Sequence, residues 1–355
     1  MTTELGTSQI QSLVNSNDGA DMPGAVFTLT NQVGNNAVVV FRRDAGGTLE
    51  ASGTFSTGGS GTGGGLGSEG AVVLNGDGTL LLAVNAGSND LSVFKVESSK
   101  LVLASRTASG GEFPLSIAIH RRLVYVLNGG GAGNITGFTL DADGKLAPIA
   151  GSTRSLSGPN TDPAQIQFSP DGRTLVVTEK ATNLVDLFAV DASGLAGELT
   201  SVPSAGGTPF GFDFGRQNVL FVSEAAGSAS SYVLGSQTLS LASGAVATHQ
   251  AAPCWAIITR DGRFGYTGNT GGGTISAFAI GPDGTIRLLD SDGATAVVGG
   301  PAVDLTVSAN SRFLYQLVGG DAPEIHGFRI RADGSLEPLG VVGELPAGTR
   351  GLAAL

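Results

Sequence analysis

The chain has 355 residues, a formal charge of −11, 57 glycines and only 14% charged residues. That acidic balance argues against a basic face for nucleic-acid phosphates or an anionic membrane surface, and no apolar stretch approaches the roughly 20 residues a membrane helix needs. So much Gly calls for many tight turns rather than long amphipathic helices, whose Glu, Lys and Arg would recur at helical spacing.

Residues 1–24 are polar and patternless, and are expected to form an arm or disordered tail ahead of one domain spanning 25–355. They carry no Lys or Arg and no long apolar run, so no secretory signal is read there. The cytoplasm is the expected compartment, unless a signal has been removed. The single cysteine, Cys254, rules out an internal disulfide and fits a reducing compartment.

The first strand expected is AVFTLTN (25–31), and Gly-rich residues 58–68 read as a flexible loop. From there one pattern recurs: a small or polar turn, an apolar β-branched run, a polar residue, a Gly/Asn/Ser-rich hairpin, and a second run closing on an aromatic. It is plain in NGDGTLLLAVNAGSNDLSVF (75–94), SPDGRTLVVTEKATNLVDLF (169–188) and TRDGRFGYTGNTGGGTISAF (259–278). The closing aromatics are Phe41, Phe94, Phe138, Phe188, Tyr232, Phe278 and Phe328, at intervals of 44 to 53 residues. Seven copies of that length predict an all-β, seven-bladed β-propeller of four-stranded blades.

Each blade is expected to open with an inner strand, often after Pro, as in FPLSIAI (113–119), DPAQIQF (162–168), TPFGFDF (208–214), APCWAII (252–258) and GPAVDLTV (300–307). Turns such as DADGKL (141–146) lead to an outer strand. The chain begins on a second strand and finishes with TRGLAAL (349–355), an inner strand without a blade after it. Pairing of the two would close the ring and remove an open sheet edge. With no edge to recruit a partner, a monomer is expected.

Ligands of such a ring would sit at the channel mouth. One aligned position, at the end of each second strand, reads Asn31, Asn85, Asn128, Glu179, Glu224, Asn269 and Val318. Asn and Glu there could simply cap turns through nearby backbone groups. Glu179 and Glu224 break the Asn rule in adjacent blades, however. Two carboxylates facing a shared mouth would raise one pKa and form an acid/base pair. Lys180 could pair with either, or form a solvated ion pair of little energetic weight.

The inner strands add Gln165, Phe210, Trp255 and Arg350. Trp255, the only Trp, could be a ligand platform or plain core. Arg350 would suit a carboxylate or phosphate, or could be a structural partner of Glu69. The histidines His120, His249 and His326 lie in different blades without metal spacing, so no metal site and no cofactor are expected. No G-x-S-x-G elbow occurs, and Gly59-x-Gly61-x-x-Gly64 lacks the strand-to-helix context of a dinucleotide loop.

The segments 80–96, 162–188 and 252–280 resemble the lactonase family of seven-bladed propellers, which includes 6-phosphogluconolactonase-like proteins and carboxymuconate-lactonizing enzymes. The resemblance runs over about residues 25–355. The family's Pro-Asp-Gly-Arg stands here as Pro170 to Arg173 and its Glu as Glu179, whereas its Arg-His pair is replaced by Ala164 and Gln165. A second family His is missing near Pro114 to Ser116. Gln cannot replace His as acid or base at neutral pH. The resemblance implies a divergent lactonase-like hydrolase acting on a small lactone or related ester by metal-independent acid/base chemistry. Catalysis is then expected of Glu179, Glu224 and Lys180, and substrate binding of Gln165, Arg350, Asn85, Asn128, Asn269, Phe210 and Trp255. A lactone-forming isomerase or cyclase on the same site, and a non-catalytic propeller binding a small molecule or a protein, are the alternatives.

Overall fold

A computed structural model describes residues 22–97 and 100–355. The expected N-terminal arm therefore lies almost wholly outside the described residues, and its last residue, Gly24, already belongs to a strand. The fold is a ring of seven antiparallel sheets. Blades are numbered here along the chain, and strands are counted from the channel outward.

The strands fall where the repeat puts them. In blade 4 they are Pro163–Phe168, Thr174–Glu179, Leu184–Val190 and Ala196–Pro203. Blade 5 runs Pro209–Phe214, Val219–Glu224, Ser228–Leu234 and Leu239–Ala247. In blades 3 and 6 the outer strand is split into two short pieces, both paired with the third strand. Among the described residues the only helical turn is a 3-10 turn at Arg216–Asn218.

The seven repeating aromatics all lie on third strands and are at most 3% exposed. Each phenyl ring buried between neighbouring sheets stabilises the ring by about 1.5–3 kcal/mol, which is why this position tolerates little but Phe or Tyr. A second device joins adjacent blades. Tyr125, Tyr266 and Tyr315 donate their hydroxyls to the carbonyls of Gly194, Gly334 and Gly47, at 2.8, 2.9 and 2.8 Å. Each acceptor lies in the turn that leads to the next blade's outer strand, so the ring's own turns satisfy buried phenols.

The ring closes as expected. Arg350–Ala354 pairs with Gly24–Leu29 as the inner strand of blade 1, in the register Val26 to Ala354 and Thr28 to Leu352. Thr28 Oγ1 donates to Gly351 O at 2.7 Å and Leu355 N donates to Ala25 O at 2.9 Å. The aligned polar position needs one correction in this blade. Val26 faces Phe41 across the sheet, as Leu81 faces Phe94, so the counterpart of Asn85 is Thr30 rather than Asn31.

Residues 58–68 also differ from expectation. They do not bridge two blades as a slack loop. The segment is tied first to blade 1, where Asn31 Nδ2 donates to Thr62 Oγ1 and Gly64 O. It then crosses the channel mouth before entering the inner strand of blade 2, Val72–Leu74.

Candidate active site at the channel mouth

The crossing segment reaches the starts of several inner strands. Ser68 Oγ donates to Leu115 O of blade 3 at 2.8 Å, and Glu69 N donates to Ala164 O of blade 4 at 3.1 Å. Trp255 of blade 6 donates its indole N–H to Ser68 O at 3.0 Å. Leu66 is buried beneath.

Four sequence-predicted residues gather against this segment. Lys180 follows the second strand of blade 4, and its ammonium donates to Gly67 O at 2.6 Å while lying 3.1 Å from Asp162 Oδ1. It also sits 5.0 Å above the Phe210 ring, a cation–π distance. Phe210 in turn packs on Trp255, with centroids 4.9 Å apart. Arg350 lies beside Gly65 on the opposite approach. Lys180 is thus partnered by Asp162 and a carbonyl, not by either glutamate. Trp255 is both core and mouth: it is 4% exposed, yet it contacts the crossing segment. An open cleft of about 260 Å3 adjoins Asp162, lined by Gly129, Gly131, Ala132, Gly133, Asn160 and Thr161.

Gln165 lies deeper, in the channel wall. Its amide bridges blades 4 and 5, donating to Phe212 O at 2.9 Å and accepting from Phe212 N at 2.7 Å. The same task falls to Ser116, which accepts from Ile166 N, and to Asp304, whose Oδ2 accepts from Gly351 N at 2.7 Å. In blade 5 the corresponding residue is Gly211, which has no side chain to offer. There Glu69 arrives from across the channel, and its Oε2 accepts from Ala256 N at 3.1 Å. Glu69 is therefore bound to backbone of blade 6 and not to Arg350, whose charge acts on Asp304 instead.

This acidic set titrates unusually. Burial pushes the Asp304 carboxyl up to about 7, against the opposing pull of the Gly351 N–H and the Arg350 charge. Glu69 is held well above the usual carboxylate range, chiefly by burial and further by Asp304 and Asp213. Asp304 was not among the expected site residues. A charged residue inside the mostly apolar inner strand 302–307 was the signal for it.

The second-strand ends are elsewhere. Glu224 is fully buried, and its carboxylate accepts from Ser204 Oγ, Gly206 N, Ser228 Oγ and Ser230 Oγ. Glu179, also fully buried, accepts from Ser157 N at 3.0 Å, the Ser157 hydroxyl and Thr182 Oγ1 at 2.6 Å. The two glutamates share no partner among these contacts and do not face a common opening. Each anchors the linker that leads from one blade to the next, because linker N–H and hydroxyl groups buried there need acceptors.

The Asn residues do related work. Asn85 donates to Asp90 and Ser92, Asn269 to Thr274 and Ser276, and Asn128 to Asn134 and Ser109 O. One acid pair does form. Asp186 adjoins Glu179, and burial, then that neighbour, push its carboxyl up to about 8.

The fold and its mouth define a class: a closed seven-bladed propeller with cations and aromatics at one end of its channel. Residues 34–159 match the family described as Lactonase, 7-bladed beta-propeller. The chain resembles that family over those residues. A search of curated proteins finds no match. Among solved structures, a Bacteroides fragilis protein described as a candidate 6-phosphogluconolactonase superposes with a TM-score of 0.77 at 16% identity, covering 96% of this chain and 100% of that one. The Pseudomonas aeruginosa periplasmic gluconolactonase gives 0.75 at 18% identity, covering 94% and 99%. A Lactobacillus plantarum protein gives 0.77 at 18% identity over the same shares.

Proposed function

We propose that the protein is a lactonase-type hydrolase that opens a small lactone at the channel mouth. The observation that carries this reading is the convergence of Lys180, Phe210, Trp255 and Arg350 on one end of a propeller of lactonase likeness. In this reading the aromatic pair seats a ring, and the Lys180 ammonium donates to the acyl oxygen as negative charge develops on it. Asp304, titrating near neutrality beside Arg350, takes a proton from the attacking water. Water adds to the acyl carbon, the ring C–O bond breaks, and the ring oxygen takes up a proton. The product is a hydroxy acid, which releases one proton at neutral pH. Glu179 and Glu224 hold linkers in place and take no part in the chemistry.

The test is proton release, followed by pH indicator, from aldonolactones with and without a phosphate group, above their spontaneous hydrolysis. Lys180→Met and Asp304→Asn should each lower kcat/KM by about 100-fold or more while the protein stays folded, the usual scale of acid–base and oxyanion contributions. Full activity in both variants removes this mechanism. No release from any lactone removes the hydrolase reading.

A further inference from the structure

The segment over the mouth is held in an unusual way. Eight of the thirteen residues 58–70 are Gly, and the tip, residues 65–69, buries one large apolar side chain, Leu66. The tip is fastened to the channel wall by five polar contacts spread over blades 3, 4 and 6: Gly67 O to Lys180, Ser68 to Leu115 and Trp255, and Glu69 to Ala164 and Ala256. Segments with few apolar contacts open locally at far lower cost than core strands.

Glu69 differs from the other contacts because a place is cut for it. A Cβ on Gly211 would collide with Glu69 Oε2 and would crowd Ala256 N and Cys254 O at 2.8 Å. Any residue but Gly would therefore close the gap into which the carboxyl reaches. In the same closed position the tip takes up the ammonium of Lys180 and the indole N–H of Trp255. The two polar groups best placed to meet a ligand are thereby spoken for.

We infer that residues 65–69 are a gate on the channel mouth, latched shut by Glu69 in the notch that Gly211 leaves. Opening frees Lys180 and Trp255 and uncovers the channel below. The charged and titratable groups around the latch are Asp213 on the blade 5 inner strand, Asp304 on that of blade 7 and Arg350 on that of blade 1. The Cys254 thiol on blade 6 and the Lys180 ammonium after the second strand of blade 4 complete the set. Burial and the two aspartates favour the protonated latch. A carboxyl whose pKa is raised in the closed state holds that state at low pH and loses its hold as pH rises through the elevated value. Acid therefore shuts the gate and alkali releases it.

Trp255 is the only Trp and donates to the gate itself, so its fluorescence reports the latch without reference to catalysis. The inference stands apart from the lactonase reading, and either can fail alone. Acrylamide quenching of Trp255 in the full chain should rise several-fold as the pH is raised from the acid to the alkaline side of the range over which the protein stays folded. Amide exchange at Glu69, whose N–H is bonded to Ala164 O, should accelerate in parallel.

Glu69→Ala, which removes the latch without adding bulk, and Gly211→Ala, which fills its notch, should show the high quenching at all pH values. Their far-UV circular dichroism should be unchanged. Glu69→Gln keeps an acceptor for Ala256 N and should flatten the pH response. If Gly211→Ala does not fold, Glu69→Ala decides. Quenching of Trp255 that is the same in wild type and Glu69→Ala across this range overturns the gate and makes the segment a fixed wall.

Discussion

Glu224 and Glu69 are both buried acids, yet they belong to different kinds of place. Glu224 lies inside one blade, ringed by three hydroxyls and a backbone N–H from residues within 20 positions of it in the chain. Glu69 lies across the channel, and its carboxyl accepts from a single N–H that is 187 positions away. The first is part of the repeat, with a counterpart in nearly every blade. The second has none. The contrast shows how a ring of repeats separates its tasks. Polar groups that recur hold linkers and set blade geometry. Polar groups that occur once, where the symmetry breaks, are free to serve a ligand or a movement.

The largest expected effect tests the first half of that contrast. Glu224→Ala leaves four donors, two of them buried, without an acceptor and should destabilise the fold by roughly 3–5 kcal/mol in urea unfolding, since each unsatisfied buried donor carries its own desolvation cost. Glu69→Ala should cost much less, because it frees one backbone N–H at the edge of a channel. Equal costs would erase the distinction between the two sites.

A sharper comparison uses pH. Asp186 is raised by burial and by Glu179, so the folded state keeps a proton that the unfolded chain gives up near pH 3.9. Stability should fall as pH rises from about 4 towards about 8, with a slope of up to about 1.4 kcal/mol per pH unit from this group, and level off above. Asp186→Asn should remove that share of the slope and be more stable than wild type at pH 8. An unchanged slope between about pH 5 and about pH 7 would show that no extra proton resides on the pair.

The smallest effect concerns the joints between blades. Tyr315→Phe deletes the hydroxyl bonded to Gly47 O and should cost about 1 kcal/mol by thermal or urea unfolding, the ordinary value of a neutral hydrogen bond. Tyr125→Phe should cost more than that, since its hydroxyl both donates to Gly194 O and accepts from Ala196 N at 2.8 Å, and its loss leaves that buried N–H without an acceptor.

Much of this architecture is legible in the sequence because it repeats. A closing Phe or Tyr every 44 to 53 residues marks the third strands, and Pro before apolar runs marks most inner ones. Closure follows from a chain that opens on a second strand and returns with an inner one. Alignment by residue type failed in blade 1, where Asn31 has φ of 53° and stands just past the strand, so that Thr30 takes the shared place.

The site is less legible, for two physical reasons. Glu179 and Glu224 look like an acid pair only until their Ser and Thr partners are placed, and those partners come from linkers that no local pattern ties to them. The crossing segment has the composition of a slack loop, because Gly-rich text carries no period. What orders it is a set of contacts with blades 3, 4 and 6, far away in the chain. Lys180 could be picked out because it directly follows Glu179, Trp255 because it is the only Trp, and Phe210 and Arg350 because they lie on inner strands that line the channel.

Ring closure also governs the order in which this molecule can be made. The partner of Val26 is Ala354, and Thr28 waits on Gly351, 323 positions later. At about 5–20 residues per second, synthesis takes roughly 15–65 s to bring the second to the first. Through that interval the strand Gly24–Leu29 presents a bare apolar edge of the kind other chains add to. The newborn chain is therefore prone to wrong partners at Gly24–Leu29, and the exposure ends only once Arg350–Ala354 has been made and paired with it.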